Sequence, residues 1–553
     1  MSAAEGRDVV LGEQQAIVAR RLPRRAMPAT AADALVRYRE LVFVAAVTGI
    51  ALFLRTYDLM SYPPGFHGDE GLVGLEAQRV LRDGWIGPYV PSALGMAAGP
   101  IYFVAVVFKV FGTSAHSVRL SMALLGTLSV PIAYVAFRTM FGYRVAVLAT
   151  IFLAFSALDI HFSRVGFMPI AQPIIEVAVL GPLFMAVRTR RWYWFLAAGV
   201  LTGFGVFSYS PYPVFVAAVA VFLVWFGLRA YGRKALHLFV RDMAIFWGAF
   251  YAGGFSMLQY ARTTPGFLNH ARTQSITSTP QWKQADLLHR GQIVWFHAKD
   301  WLFTVTTRPK FDGVDATGVG RMFDNLTLFL IAAGIVIAVL NWRKLPYAFG
   351  LIMLVVMPFG AIMTIGAEFR RAIGLLPVIV VLMALPLERI WRWADDSGRV
   401  QRQAGYAIIG AAVAFVCFYN VHYYFGTLAS SSQAHWVYVD ELASASRYVE
   451  NAQPPYVYFY SARWSYDYPT RTFLAPDIPG EDRSKEFSTL DASIDVDPSR
   501  GGMFVFIGDY MKLLPAVEAR YPGGTAYTGR GSDGQQLFAA YQLQPAAPAA
   551  TRP

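Results

Sequence analysis

The chain has 553 residues, of which 55% are hydrophobic and only 15% charged, with a mean hydropathy of +0.40; a soluble globular chain carries about a quarter charged residues, so this composition is that of a membrane protein. The net charge of +12 does not mark a nucleic-acid partner, because Lys and Arg sit in short clusters between apolar runs, where orientation in the membrane accounts for them. The single cysteine, Cys417, lies in an apolar run and excludes an intrachain disulfide.

The N-terminus is Arg-rich and polar up to Arg39 and lacks the apolar core and small-residue site of a cleaved signal, so 1–39 reads as a disordered basic tail in the cytoplasm. Runs long enough to cross a hydrocarbon core follow at 40–58, 117–137, 145–160, 168–187, 193–210, 212–228, 242–259, 325–340, 346–365, 372–388 and 405–425, which predicts about eleven spans. After the first run comes "PPGFHGDEG", Pro63 to Gly71, with His67, Asp69 and Glu70, and Glu76 soon after. The stretch "LVGLEAQRVLRDG" has a helical period, which puts Asp69 and Glu70 at the helix N-terminus; there an acid caps the helix or does chemistry, and the two roles are compatible.

The segment "GPIYFVAVVFKVFG", Gly99 to Gly112, is short and carries Lys109. If it does not cross, the basic clusters before Leu41, at Arg138 and Arg144, at Arg188 to Arg191, at Arg229 to Lys234, at Arg343 and Lys344, and at Arg389 to Arg402 all fall on one side, the cytoplasm. It therefore reads as a juxtamembrane or re-entrant helix inside a first extracytoplasmic loop, 60–116.

On the same outer side, "ALDIHFSRVGF" offers Asp159, His161 and Arg164. Asp159 and His161 are two donors for a divalent metal but lack a third; Arg164 suits an anionic phosphate or snorkels to water. Glu176, inside a span, reads as an acid hydrogen-bonded between helices or a proton-coupling group. "GAEFRRAIGLLP" places Glu368, Arg370 and Arg371 outside, against the positive-inside tendency, so a phosphate or a local ion pair with Glu368 holds the arginines there. From about 428 the chain turns polar. A helical pattern in "WVYVDELASASRYVEN", strand-like runs "PYVYFYS", "GMFVFIG" and "QLFAAYQL", and a helical stretch near Tyr510 to Arg520 predict a small soluble α/β domain over 428–545, with a disordered end at 546–553. "DVD", Asp495 to Asp497, reads as a solvated turn before Pro498.

One span, then "HGDEG", "GPIYFVAVVFKVFG", "SVRLSMALLGTL", "FGYRVAVLATIFLAFSALDIHFSR", "GFGVFSYSPY" and "FRRAIGLLP" together resemble the polytopic membrane glycosyltransferases of the GT-C fold, in the bacterial branch similar to protein O-mannosyltransferases and the lipid A aminoarabinose transferase. The resemblance covers about 40–390. It implies an α-helical polytopic membrane domain over 40–427 in a bacterial inner membrane, N-terminus inside and C-terminal domain outside. It also implies transfer of a sugar from a polyprenyl-phosphate carrier to an envelope glycan, lipid or protein, with inversion. On that resemblance Asp69 is the general base and Glu70 its support. His67, Asp159, His161, Arg164, Tyr209, Tyr212, Arg370 and Arg371 become substrate-binding candidates, and a divalent metal is left open. One departure stands out: the aminoarabinose group carries a lysine just before the proline that opens the juxtamembrane helix, whereas this chain reads "MAAGP", with Ala98 and Gly99 before Pro100. That favours a neutral hexose or pentose donor. A secondary transporter is the rival reading, weakened by the absence of an internal repeat and by charges gathered at one face.

Overall fold

The computed structural model describes residues 31–92, 95–231, 235–306, 319–366, 368–484 and 493–543. It divides into a unit of residues 1–46 and a unit of residues 47–553. The stretch read as a basic tail is helical from Ala31, where the helix Ala31–Thr56 begins; residues 1–30 and 546–553 lie outside the described residues.

All eleven apolar runs are helical, but among the described residues six helices are long and apolar enough to cross a membrane, namely Ala115–Phe141, Met168–Thr189, Tyr212–Ala230, Leu345–Ile362, Phe369–Asp395 and Arg399–Leu428. A seventh span is formed if Tyr143–Phe155 and Ala157–Arg164, bent by 50°, count as one. The break falls at Ser156, whose hydroxyl accepts from Asp159 N at 3.4 Å, while the freed amide of Ala157 is taken by Asn420 Oδ1 at 2.9 Å. The other four runs fall short of the expected eleven for physical reasons. The helix Ala31–Thr56 carries Arg39 and Glu40 in its first half and Arg55 near its end. Trp192–Phe204 gives way at Gly205 to a 3-10 turn. Leu236–Gly253 contains Arg241 and Asp242 and stops at Gly254, and Asn325–Leu340 has only 16 residues. The protein is thus a multi-pass helical membrane protein. The helix Gly99–Phe111 has 13 residues, about 20 Å at 1.5 Å per residue, too short for a hydrocarbon core of about 30 Å.

The loop before it holds the helix Gly68–Asp83 and a short antiparallel hairpin, β1 (Tyr89–Val90) with β2 (Met96–Ala97), in register Tyr89↔Ala97. The C-terminal part builds a five-stranded sheet from β3 (Val457–Ser461), β4 (Gly480–Asp482), β5 (Gly502–Ile507), β6 (Thr525–Arg530) and β7 (Gln536–Leu543), in the order β4-β3-β5-β7-β6. The pairs β4/β3 and β3/β5 are parallel, β5/β7 and β7/β6 antiparallel. Every residue of β3 and β5 is buried, as expected of continuous apolar runs covered on both faces. Val457, Phe459, Met503 and Val505 pack toward Leu442 and Val449 of the helix Asp440–Ala452, whereas Tyr458, Tyr460, Phe504 and Phe506 pack toward Tyr510 and Val517.

This α/β part is not a separate compact unit but packs with the helices in the unit 47–553. The reason is local: Phe66 in the first loop donates its N–H to the Tyr438 carbonyl at 2.7 Å, and its own carbonyl accepts from Thr470 Oγ1 at 2.8 Å. Its ring stacks on Phe473 at 5.5 Å. The helices Gly68–Asp83 and Pro469–Leu474 lie against each other; a Cβ on Gly71 would come within 2.6 Å of the Pro469 carbonyl oxygen.

Candidate active site

His67, not Asp69, caps the helix Gly68–Asp83. Its Nδ1 accepts from Asp69 N at 3.1 Å, and the Glu70 carboxylate reaches back to His67 N at 2.8 Å, which closes a capping box. The two adjacent carboxylates are thereby separated into different environments.

Glu70 is fully buried and accepts four hydrogen bonds. Arg119 contributes two, Nε to Oε1 at 2.8 Å and Nη2 to Oε2 at 3.0 Å; the others come from His67 N and from Gly166 N at 2.7 Å. Burial alone would raise its pKa, but the Arg119 charge and these hydrogen bonds outweigh it and hold the carboxyl below the ordinary glutamate value. Asp69, one residue earlier, keeps 46% of its side chain exposed, 3.9 Å from His67 Nδ1. Arg119 also donates to the carbonyls of Leu59, Pro63 and Gly65, at 3.1, 2.7 and 3.0 Å. This single guanidinium therefore fixes both the turn before the helix and the acid inside it.

Arg164, expected to suit a phosphate or to snorkel to water, does not snorkel. It is fully buried and donates to the carbonyls of Leu54, Tyr57, Asp58 and Tyr62, at 2.9, 2.6, 3.0 and 2.8 Å. Its charge holds the end of the first apolar helix. Asp159 and His161 share a helix but point to different partners: Asp159 pairs with buried Arg55, and His161 Nε2 lies 3.1 Å from the Tyr438 hydroxyl of the C-terminal part. Among the described residues no group of three His, Cys, Asp or Glu side chains converges on a metal position.

Arg370 and Arg371 lie on the 3-10 segment Phe369–Leu375. Each meets one oxygen of Glu368, at 2.7 Å in both cases, so the local ion pair is present. This segment packs against Met168–Ile170, just after the Gly166 that donates to Glu70. Tyr209 is half-buried. Tyr212, expected to line a cavity, is instead fully buried against Gly205. Glu176 accepts from Gln172 Nε2 at 2.8 Å, one turn earlier on its own helix Ala171–Thr189 rather than on a neighbouring one, and Asp495 to Asp497 form the expected solvated turn, with Asp497 Oδ1 accepting from Ser499 N.

Sequence reasoning passed over Arg119, Arg55, Tyr438, Thr470 and Tyr468. Arg119 had a usable signal, since an arginine inside an apolar helix is costly and marks a built site. The Tyr468 hydroxyl stands over Gly68, 2.5 Å from where a Cβ would lie. Burial, and then the nearby Asp69 charge, push its pKa up to about 12. At the departure from the aminoarabinose pattern, Ala98 is fully buried, and a Cβ on Gly99 would come within 2.4 Å of the Phe207 carbonyl oxygen.

Residues 97–247 match the family model described as dolichyl-phosphate-mannose-protein mannosyltransferase, in agreement with the resemblance read from the motifs. No curated protein matches. Among solved structures, the chain is similar to ArnT from Cupriavidus metallidurans bound to undecaprenyl phosphate, at 16% identity and a TM-score of 0.52, over 92% of this chain and 98% of that one. It is also similar to the oligosaccharyltransferase AglB from Archaeoglobus fulgidus in complex with an inhibitory peptide and a dolichol-phosphate, at 15% identity and a TM-score of 0.54, over 93% of this chain and 75% of that one. These likenesses establish the fold.

Proposed function

We propose, from the premise that this chain is a membrane glycosyltransferase of the GT-C fold using a polyprenyl-phosphate sugar donor, that Asp69 is the general base of an inverting transfer at the extracytoplasmic face. The observation that carries this reading is the division between neighbours. Glu70 has its oxygens taken by four donors and is held as a structural anion. Asp69 sits in the first turn of the same helix with its carboxylate open to solvent.

The chemistry follows. The acceptor oxygen attacks the anomeric carbon, its proton passes to an Asp69 oxygen, and the bond from that carbon to the lipid phosphate breaks with the electron pair leaving on the phosphate. Arg370 and Arg371 both meet Glu368, and guanidiniums held in this way suit the developing phosphate anion. His67 orients Asp69, and His161 and Tyr209 are binding candidates. Asp159 and His161 would hold a divalent metal only after leaving Arg55 and Tyr438. The absence of a lysine before Pro100, where Ala98 and Gly99 stand, favours a neutral hexose or pentose over aminoarabinose; acceptors include an envelope glycan, lipid or protein.

The test is Asp69→Asn, assayed for transfer from radiolabelled polyprenyl-phosphate sugar in membranes. Removing a positioned base lowers transfer by about 10²–10⁴-fold with expression and melting unchanged. Full activity in that variant removes the assignment.

A further inference from the structure

Leading away from Asp69, the C-terminal part carries a ladder of flat groups. Tyr468, whose hydroxyl stands over Gly68, packs on Trp464 with ring centroids 4.5 Å apart. The Arg463 guanidinium lies 4.3 Å from the Trp464 ring centre and 3.8 Å from that of Trp436. Glu441 locks the middle of the ladder. Its Oε1 accepts from Arg463 Nη1 at 2.8 Å and from Trp464 Nε1 at 2.9 Å, and Arg463 Nη2 donates to the Trp436 carbonyl at 2.7 Å. Trp436, with one face covered by that guanidinium, is still 56% exposed.

Three physical properties define what this surface takes. It is rigid, because a cation held between two indoles and tied to a carboxylate has little freedom left. It carries no net charge at its centre, because Glu441 cancels Arg463, so it does not select phosphate or an acidic headgroup. It offers flat apolar surface, most openly on Trp436, with the partly buried rings of Trp464 and Tyr468 continuing it toward Asp69 and toward Asp467, whose side chain is 95% exposed. A pyranose has the matching surface, a face of C–H groups rimmed by hydroxyl donors.

We propose that Tyr468, Trp464 and Trp436 form the acceptor platform, which takes neutral pyranose residues of a glycan acceptor and presents one hydroxyl to Asp69. The proposal rests on Asp69 as base and narrows the acceptor to a carbohydrate, free or at the head of a lipid. Its proximal end is Tyr468 beside the base; its distal end is Trp436.

The test is saturation-transfer NMR on the full chain in nanodiscs, with neutral gluco- and manno-trisaccharides as probes and a serine-rich peptide as control. Saturable trisaccharide binding is expected, weakened at least about tenfold by Trp436→Ala, restored in part by Trp436→Phe, and kept by Asp69→Asn. The last variant separates the two readings, since an Asp69→Asn protein that transfers sugar removes the base and leaves glycan binding to be judged on its own. Absence of saturable trisaccharide binding at tens of millimolar overturns the platform, as does equal binding by wild type and Trp436→Ala. Binding of the peptide but no trisaccharide overturns the carbohydrate assignment.

Discussion

Glu70→Gln is the sharpest probe of how the loop is built. The substitution preserves shape and removes one acceptor oxygen, placing an NH₂ group where two N–H donors now point. Whichever way the amide turns, it meets Arg119 together with either Gly166 N or His67 N. Two of the four hydrogen bonds are lost, each worth about 1.5–3 kcal/mol to a charged acceptor, so the expected cost is about 3–6 kcal/mol. Breaking a buried ion pair from one side costs a comparable amount, about 3–5 kcal/mol. Glu70→Asp keeps the charge but draws it back by one methylene, so it recovers only part of the loss. The assay is reversible unfolding of the purified chain in mixed micelles, with transfer activity followed in parallel; kcat falls with stability because the proposed base is the adjacent residue. A Glu70→Gln protein within about 0.5 kcal/mol of wild type would refute the view that this carboxylate anchors the loop.

Arg370→Ala and Arg371→Ala each remove one of the two guanidiniums that meet Glu368 and should raise the apparent donor KM; an unchanged KM moves the phosphate site elsewhere. His435 Nδ1 lies 2.7 Å from Asp440, whose hydrogen bond raises the imidazole pKa above its ordinary 6.5 against the opposing effect of burial. The pair therefore stabilises the folded chain fully below about pH 6.5 and loses that contribution as pH rises through the raised value. Melting of the wild type should fall over that interval more than melting of His435→Gln, and parallel curves would contradict this. Gly99→Ala forces a methyl group toward the Phe207 carbonyl oxygen, 2.4 Å away, and should lower the melting midpoint, while Gly99→Lys should not confer use of an aminoarabinose donor.

Much of the membrane part was readable because apolar length is a one-dimensional property: every apolar run is a helix, and the failure of the short segment Gly99–Phe111 to span agrees with the placement of basic clusters. The count of eleven was not readable in the same way, since Ser156, Gly205 and Gly254 break helices that remain apolar on both sides. In the C-terminal part, β3, β5 and β7 announce themselves as apolar runs, whereas β4 and β6 are short or polar edge strands without that signal. At the site, sequence placed both acids at a helix start but assigned the cap by residue type; the cap is His67. What distinguishes Glu70 from Asp69 is Arg119, 49 positions later, and periodicity carries no information about such a partner. The surroundings of Arg164 are hidden from periodicity in the same way, because its carbonyl partners lie more than 100 positions earlier.

The hold on Phe66 has a consequence for the order of events in the cell. Its two backbone partners are Tyr438 and Thr470, the second 404 positions further along the chain. Synthesis runs from the N-terminus, and early segments settle while later ones are still being made. The loop with Asp69 is among the first parts to be translated and among the last to be locked in place. A chain stalled or cleaved before residue 470 thus inserts its helices yet leaves the loop unfastened, and the enzyme stays idle until its own tail has arrived.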